Sequence, residues 1–187
     1  MRIIAGQFKG RKLLAPEGKD VRPTLGRARE AIFNLLMHGH YAGEAIIGQH
    51  IVDLCCGTGA LGLEALSRGA RLATFVDQDK KSLEIAKQNA MHCGVTHASF
   101  FVQADAAKLP AAREQASLVL MDAPYASPLL QPAHAALVRG NWLAPGALLV
   151  AEQARTSATP TLDGMTLIDE RHYGKANILI YQLGDSA

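Results

Sequence analysis

Cysteine is scarce in this chain and poorly placed for cross-linking. There are three, Cys55, Cys56 and Cys93, and neighbours in sequence cannot easily close a relaxed disulfide on each other. No C-x-x-C pair occurs and the seven histidines are scattered, so neither a disulfide scaffold nor a metal site is expected. His38 and His40 flank a glycine, but no further ligand cluster accompanies them. No run of about 18 apolar residues exists, which argues against a membrane-spanning helix. The opening Met1-Arg2-Ile3-Ile4-Ala5-Gly6 runs at once into charges and lacks an apolar signal core, so a cytoplasmic location is expected. Internal repeats and low-complexity tracts are also missing. What remains is a 187-residue chain, 49% hydrophobic and 19% charged, the size of one ordinary domain with a short extension. No helix demands a partner, so a monomer is expected.

The net charge of +2 hides an asymmetry. Residues 1–29 carry eight bases and two acids, a local +6, while the rest carry eleven bases and fifteen acids, a local −4. A basic arm on an acidic body suggests contact with phosphates, the alternative being a merely solvated tail. Within the arm, Ile3-Ile4 and Leu13-Leu14 flank Gly6-Gln7-Phe8-Lys9-Gly10, which reads as a small β-hairpin or a loop. Thr24 is expected to cap a helix reaching about His38, with Ala28, Ile32, Leu35 and Leu36 on one face and Gly39 as its stop.

From residue 50 short apolar runs alternate with helical stretches. Strands are expected at His50–Leu54, Leu72–Val76, Ser99–Gln103, Leu118–Met121 and Ala147–Ala151. Helices are expected at Ala60–Arg68, Lys80–His92 and about Leu129–Arg139. This alternation implies an α/β fold with parallel pairing and helices on both faces. It ends after Glu152, where Thr166–Arg171 and Asn177–Gln182 read as an antiparallel edge hairpin.

The first strand leads into Val52-Asp53-Leu54-Cys55-Cys56-Gly57-Thr58-Gly59-Ala60-Leu61-Gly62. Glycines there let a ligand approach the backbone at a helix N-terminus. The pattern Gly57-x-Gly59-x-x-Gly62 alone matches a dinucleotide fingerprint only weakly. Asp77, at the end of the second strand, stands where a carboxylate accepts from two ribose hydroxyls. Asp53 adds a second carboxylate at the loop. That favours S-adenosylmethionine, a nucleoside with a sulfonium and an amino group and no phosphate, unless Asp53 only ties the loop backbone together. Asp105 follows the third strand, where the adenine amino group should arrive, with a backbone N–H for a ring nitrogen; it could equally be a turn residue.

The fourth strand runs into Asp122-Ala123-Pro124-Tyr125. In an arbitrary sequence that would be an ordinary turn, but here it falls at the crevice where parallel sheets bind ligands. Proline fixes the turn and the tyrosine can stack on a flat base. An exocyclic amine of a nucleobase is a poor nucleophile, because its lone pair is delocalised into the ring. Accepting its two N–H bonds, at Asp122 and the Ala123 carbonyl, frees that lone pair for an in-line displacement governed by position and electrostatics.

Taken together, Arg2-Ile3-Ile4-Ala5-Gly6, Gly10-Arg11-Lys12-Leu13, Arg22-Pro23-Thr24, Arg29-Glu30 with Phe33-Asn34, and the run Gly59 to Ala70 resemble the bacterial 16S ribosomal RNA guanine-N2 methyltransferases of the RsmD type. The resemblance covers nearly the whole length. It implies a Rossmann-like class I methyltransferase domain over residues 24–187, with residues 1–23 forming a basic β-hairpin that helps hold RNA through Lys9, Arg11, Lys12 and Arg22. It implies methylation of the guanine usually numbered 966 within a small-subunit particle or assembly intermediate. The donor site would comprise Thr24, Asp53, Cys55, Gly57, Gly59, Asp77, Gln78, Asp105 and Ala106, and the amine site Asp122, Ala123, Pro124 and Tyr125. Where the family usually has D-P-P-[FY], this chain has Ala123, which would act through its backbone carbonyl. The rival readings are an adenine-N6 DNA methyltransferase, a nicotinamide-dependent oxidoreductase and a non-catalytic RNA-binding protein on the same fold.

Overall fold

The computed structural model describes residues 1–15, 23–38, 43–122 and 128–184. Pro23–Met37 forms helix α1, followed by β1 (His50–Leu54), α2 (Ala60–Ser67), β2 (Leu72–Asp77), α3 (Lys80–His92), β3 (Ser99–Gln103), β4 (Ala116–Asp122), α4 (Leu130–Arg139), β5 (Leu143–Ala154), β6 (Met165–Tyr173) and β7 (Ala176–Leu183). The seven strands form one sheet in the order β3-β2-β1-β4-β5-β7-β6. The five strands from β3 to β5 pair parallel, and β7 runs antiparallel to both β5 and β6.

The path follows from the handedness of parallel crossovers. The chain steps outward from β1 to β2 to β3, placing α2 and α3 on one face; it then returns past β1 and steps the other way, so α4 lands on the opposite face. One core layer joins α1, α2 and α3 to the sheet through Phe33, Leu36, Leu63, Phe75 and Ala86; the other joins α4 through Ala133, Ala136, Leu137 and Trp142. The direction reverses between β1 and β4. A crevice at the carboxyl ends of those two strands is where an open α/β sheet binds its ligand.

Several boundaries differ from the sequence reading. Thr24 is the second residue of α1 and not its cap, because the helix begins one residue earlier at Pro23, whose fixed φ suits the first helical position. The fifth strand begins at Leu143 and not at Ala147, although Pro145 and Gly146 interrupt its apolar pattern; the register with β4 shifts there, as bulged strands allow. The antiparallel hairpin does form one edge of the sheet, with β7 against β5 and β6 outermost. The expected stop at Gly39 lies outside the described residues.

Residues 1–14 are closed by an antiparallel bridge between Arg2 and Lys12, with Ile3 N–H donating to Arg11 O (3.0 Å) and Gly10 N–H to Ile3 O (2.9 Å). This small hairpin is packed onto the domain, with Ile3, Phe8 and Leu13 inside the same core as α1, α2 and α3. Gly6 makes that approach possible: a Cβ there would stand 1.9 Å from the Ser67 carbonyl oxygen. Among the described residues, no helix is long and apolar enough to cross a membrane.

Candidate active site

Strand β1 is buried along its whole length and carries Asp53 toward the face covered by α2. Asp53 is 1% exposed, and its Oδ2 accepts from the Gly62 N–H at 2.8 Å. The cap residue of α2, Gly59, has no side chain to give (φ 77°), so a carboxylate from the preceding strand satisfies an orphan N–H of the helix's first turn. Gly62 has to be small for a second reason: a Cβ there would lie 2.4 Å from the Phe75 ring.

Three N–H groups of the loop between Asp53 and α2 are committed inside the protein. Cys56 N–H donates to Val76 O, Gly59 N–H to Cys56 O, and Gly57 N–H to Asp77 Oδ2 at 2.9 Å. The other oxygen of Asp77 accepts from Asp79 N–H; a carboxylate has lone pairs for about four partners, so acceptor capacity remains on both oxygens. Gly57 is left-handed (φ 53°), and a Cβ on it would meet nothing within 4 Å, so the loop presents bare backbone to open space. Cys55 is also left-handed (φ 63°), a conformation uncommon outside glycine. Burial pushes its thiol up to about 12 and that of Cys56 higher still, so both stay protonated and unreactive.

Asp122 ends β4, next to β1, and is in register with Glu152 of β5. Burial, then the charge of Glu152, push Asp122 up to about 7. Asp53 is pushed to about 8, first by burial and then by Asp122 and Asp77, against the Gly62 hydrogen bond and the more modest opposing field of Arg29. Asp122 and Asp77 thus both disfavour the charge of Asp53 from around a single crevice. Such a site repels phosphate and favours a cation. The N–H groups of Cys56, Gly57 and Gly59 are already used inside the protein, which leaves fewer for a pyrophosphate.

The structure brings Asp53, Cys55, Gly57, Gly59 and Asp77 together at the carboxyl ends of β1 and β2. Gln78 is exposed just beyond. Asp105 follows β3, with its Oδ1 accepting from Ala107 N–H at 2.9 Å, and Ala106 is buried in the α4-side core. Lys9, Arg11 and Lys12 are exposed on the hairpin; Arg11 lies over the Phe8 ring and donates to His92 O. Arg22, Ala123, Pro124 and Tyr125, and the side chain of Thr24, lie outside the described residues. Missed by sequence reasoning were Glu152, visible only through strand register, and the buried polar residues Arg29, Glu64 and Asn89.

The family model described as conserved hypothetical protein 95 matches residues 1–182. The ribosomal RNA small subunit methyltransferase D of Haemophilus influenzae is 33% identical, covering 97% of this chain and 93% of its own length. The chain belongs to this methyltransferase family. The enzyme of the same name from Escherichia coli is also 33% identical, over 97% of this chain and 89% of its own. A solved chain from Escherichia coli, yhhF, described as a methyltransferase, superposes with a TM-score of 0.83 at 31% identity, covering 100% of this chain and 99% of its own.

Proposed function

We propose that this protein is an S-adenosylmethionine-dependent methyltransferase acting on the exocyclic N2 of a guanine in 16S ribosomal RNA, the guanine usually numbered 966. The observation that carries the reading is the group of carboxylates around the β1–β4 switch point, Asp53 buried and Asp77 and Asp122 half-buried. S-adenosylmethionine, when bound, supplies an electrophilic methyl on a sulfonium.

The residues present fit that donor. Asp53 offsets its positive charge while capping α2, Asp77 accepts from the ribose hydroxyls, and Asp105 accepts from the adenine amino group as the Ala106 N–H serves a ring nitrogen. Cys55, Gly57 and Gly59 offer backbone; Gln78 and Thr24 flank the site. Asp122 accepts one N–H of the target amine and the Ala123 carbonyl the other, so that the nitrogen lone pair turns outward. Pro124 sets the turn and Tyr125 stacks on the base. No strong base is required, because the amine proton becomes acidic once nitrogen gains the methyl. Lys9, Arg11, Lys12 and Arg22 meet phosphates, with residues 1–23 as the RNA-contacting arm and residues 24–187 as the catalytic domain. The substrate is RNA within the 30S subunit or an assembly intermediate, and the protein works as a cytoplasmic monomer.

The test is transfer of labelled methyl from S-adenosylmethionine to 30S particles that lack the modification, with the product base mapped by mass spectrometry. Methyl-guanine at one site is expected, lost in Asp122→Ala. Methylation of duplex DNA in preference to the particle, or labelled adenine, overturns the reading.

A further inference from the structure

Asn89 sits in α3 among Leu83, Ala86 and Ala90, the buried residues of that helix, and is itself fully buried. A polar group at a core position needs partners, and this one has a complete set. Its Oδ1 accepts from Leu14 N–H at 2.7 Å. Its Nδ2 donates to Leu14 O at 3.1 Å and to Thr58 O at 2.9 Å. Both amide hydrogens are therefore spent. Thr58 stands between Gly57 and Gly59 in the glycine loop; Leu14 lies on the exit side of the N-terminal hairpin. One side chain holds the backbones of both.

Helix α2 fastens the same two pieces a second time. Gly62 in its first turn is held by Asp53. Two residues on, Glu64, fully buried, accepts from Ile4 N–H (2.8 Å) and Ala5 N–H (3.0 Å), while Arg68 Nε pairs with it at 2.9 Å. Ser67 accepts from Phe8 N–H and donates to Ala5 O. The hairpin is thus registered against the loop through saturated, buried hydrogen bonds, which cannot yield a little without leaving a polar group unpaired.

We infer that Asn89 is a positioning residue through which RNA on the hairpin and methyl donor on the glycine loop bind cooperatively. The inference rests on the functional reading above. A displacement of Leu14 breaks two of the amide's bonds and frees it to pull on Thr58; an RNA that holds the hairpin still therefore holds the loop in its binding geometry. Linkage makes the effect mutual, so donor binding tightens RNA by the same factor.

The experiment measures the Kd of S-adenosylhomocysteine, which cannot turn over, with and without saturating unmodified 30S particles. The wild type is expected to bind it roughly 5-fold or more tightly with the particle present, the lower range of ordinary coupling. Asn89→Ala and Asn89→Asp, which lack the two donors, are expected to lose that gain. Should these variants fold poorly, hydrogen exchange on the wild type decides: S-adenosylhomocysteine should slow exchange of the Leu14 amide together with those of the loop. Protected loop amides with Leu14 unchanged, or full coupling in the variants, overturns the inference. A wild type that methylates 30S particles but shows no coupling sinks this inference alone, whereas a wild type that transfers no methyl sinks the functional reading and this inference with it.

Discussion

Asp53 ionises near 8 in the folded protein, because burial outweighs its hydrogen bond from Gly62, whereas an aspartate in an unfolded chain ionises near 3.9. Between those values the folded state holds a proton that the unfolded state releases, so this residue weakens folding progressively as pH rises from about 4 to about 8. At about 1.4 kcal/mol per pH unit, the loss by pH 7 reaches roughly 4 kcal/mol as an upper bound. The amide introduced by Asp53→Asn never ionises, and its oxygen would still accept from Gly62 N–H. A neutral carboxylic acid carries a donor too, so the amide adds no new kind of buried group. With half of the bound surviving relaxation of the site, Asp53→Asn should raise the Tm of the ligand-free protein by about 4–8 °C at pH 7 and change it little at pH 4. Thermal denaturation of both proteins, followed by circular dichroism between pH 4 and 8, measures this difference. In the same variant, affinity for S-adenosylmethionine should fall at least about tenfold, because the lost charge is the one that offsets the donor's. A Tm difference that stays flat across the pH range, or an Asp53→Asn protein less stable than wild type at pH 7, refutes the reasoning.

The remaining predictions concern neighbouring parts of the molecule. Asp122→Ala should abolish methyl transfer while calorimetric donor affinity stays within about threefold of wild type, since the loss falls on the amine and not on the donor. With Asp122 ionising near 7 and acting as acceptor, kcat/KM should rise with pH through about 7 and level off above it, as the free enzyme's essential group deprotonates; a profile flat from pH 6 to 8 excludes that role. Neutralising Lys9 and Lys12 together should weaken RNA binding and reduce the slope of log K against log salt by about 1 for each phosphate no longer neutralised. Gly62→Ala, whose Cβ would lie 2.4 Å from Phe75, should lower stability by about 1–3 kcal/mol through overpacking, read as a lower urea midpoint.

The parallel half of the sheet was legible because strands buried on both faces are written as nearly unbroken apolar runs, as in His50–Leu54 and Leu118–Met121, and because glycine and helical period mark what lies between. Strand β6 shows the opposite case: its side chains are mostly exposed, so apolarity says little of where it pairs, and the insertion of β7 between β5 and β6 is a property of three strands at once. The carboxylates Asp53, Asp77 and Asp122 could be placed at one crevice because each ends a strand or lies within one residue of its end. Glu152 could not, because facing Asp122 depends on a register that a bulge shifts. Asn89 did carry a readable signal: it falls three residues after Ala86 and six after Leu83, on the apolar stripe of α3. The segment it clasps could not be read, since nothing in local sequence pairs residue 89 with residues 14 and 58.

The position of β7 has a consequence for how the chain is made. Strand β7 occupies an inner place in the sheet, between two segments encoded before it, so β6 has no partner until β7 has left the ribosome. Until then β5 presents an open, apolar border of unpaired amides and carbonyls, the kind of edge that recruits other chains. A product that stops near residue 175 would retain the entire crevice yet carry that sticky border permanently, and its fate would be precipitation and not reduced catalysis.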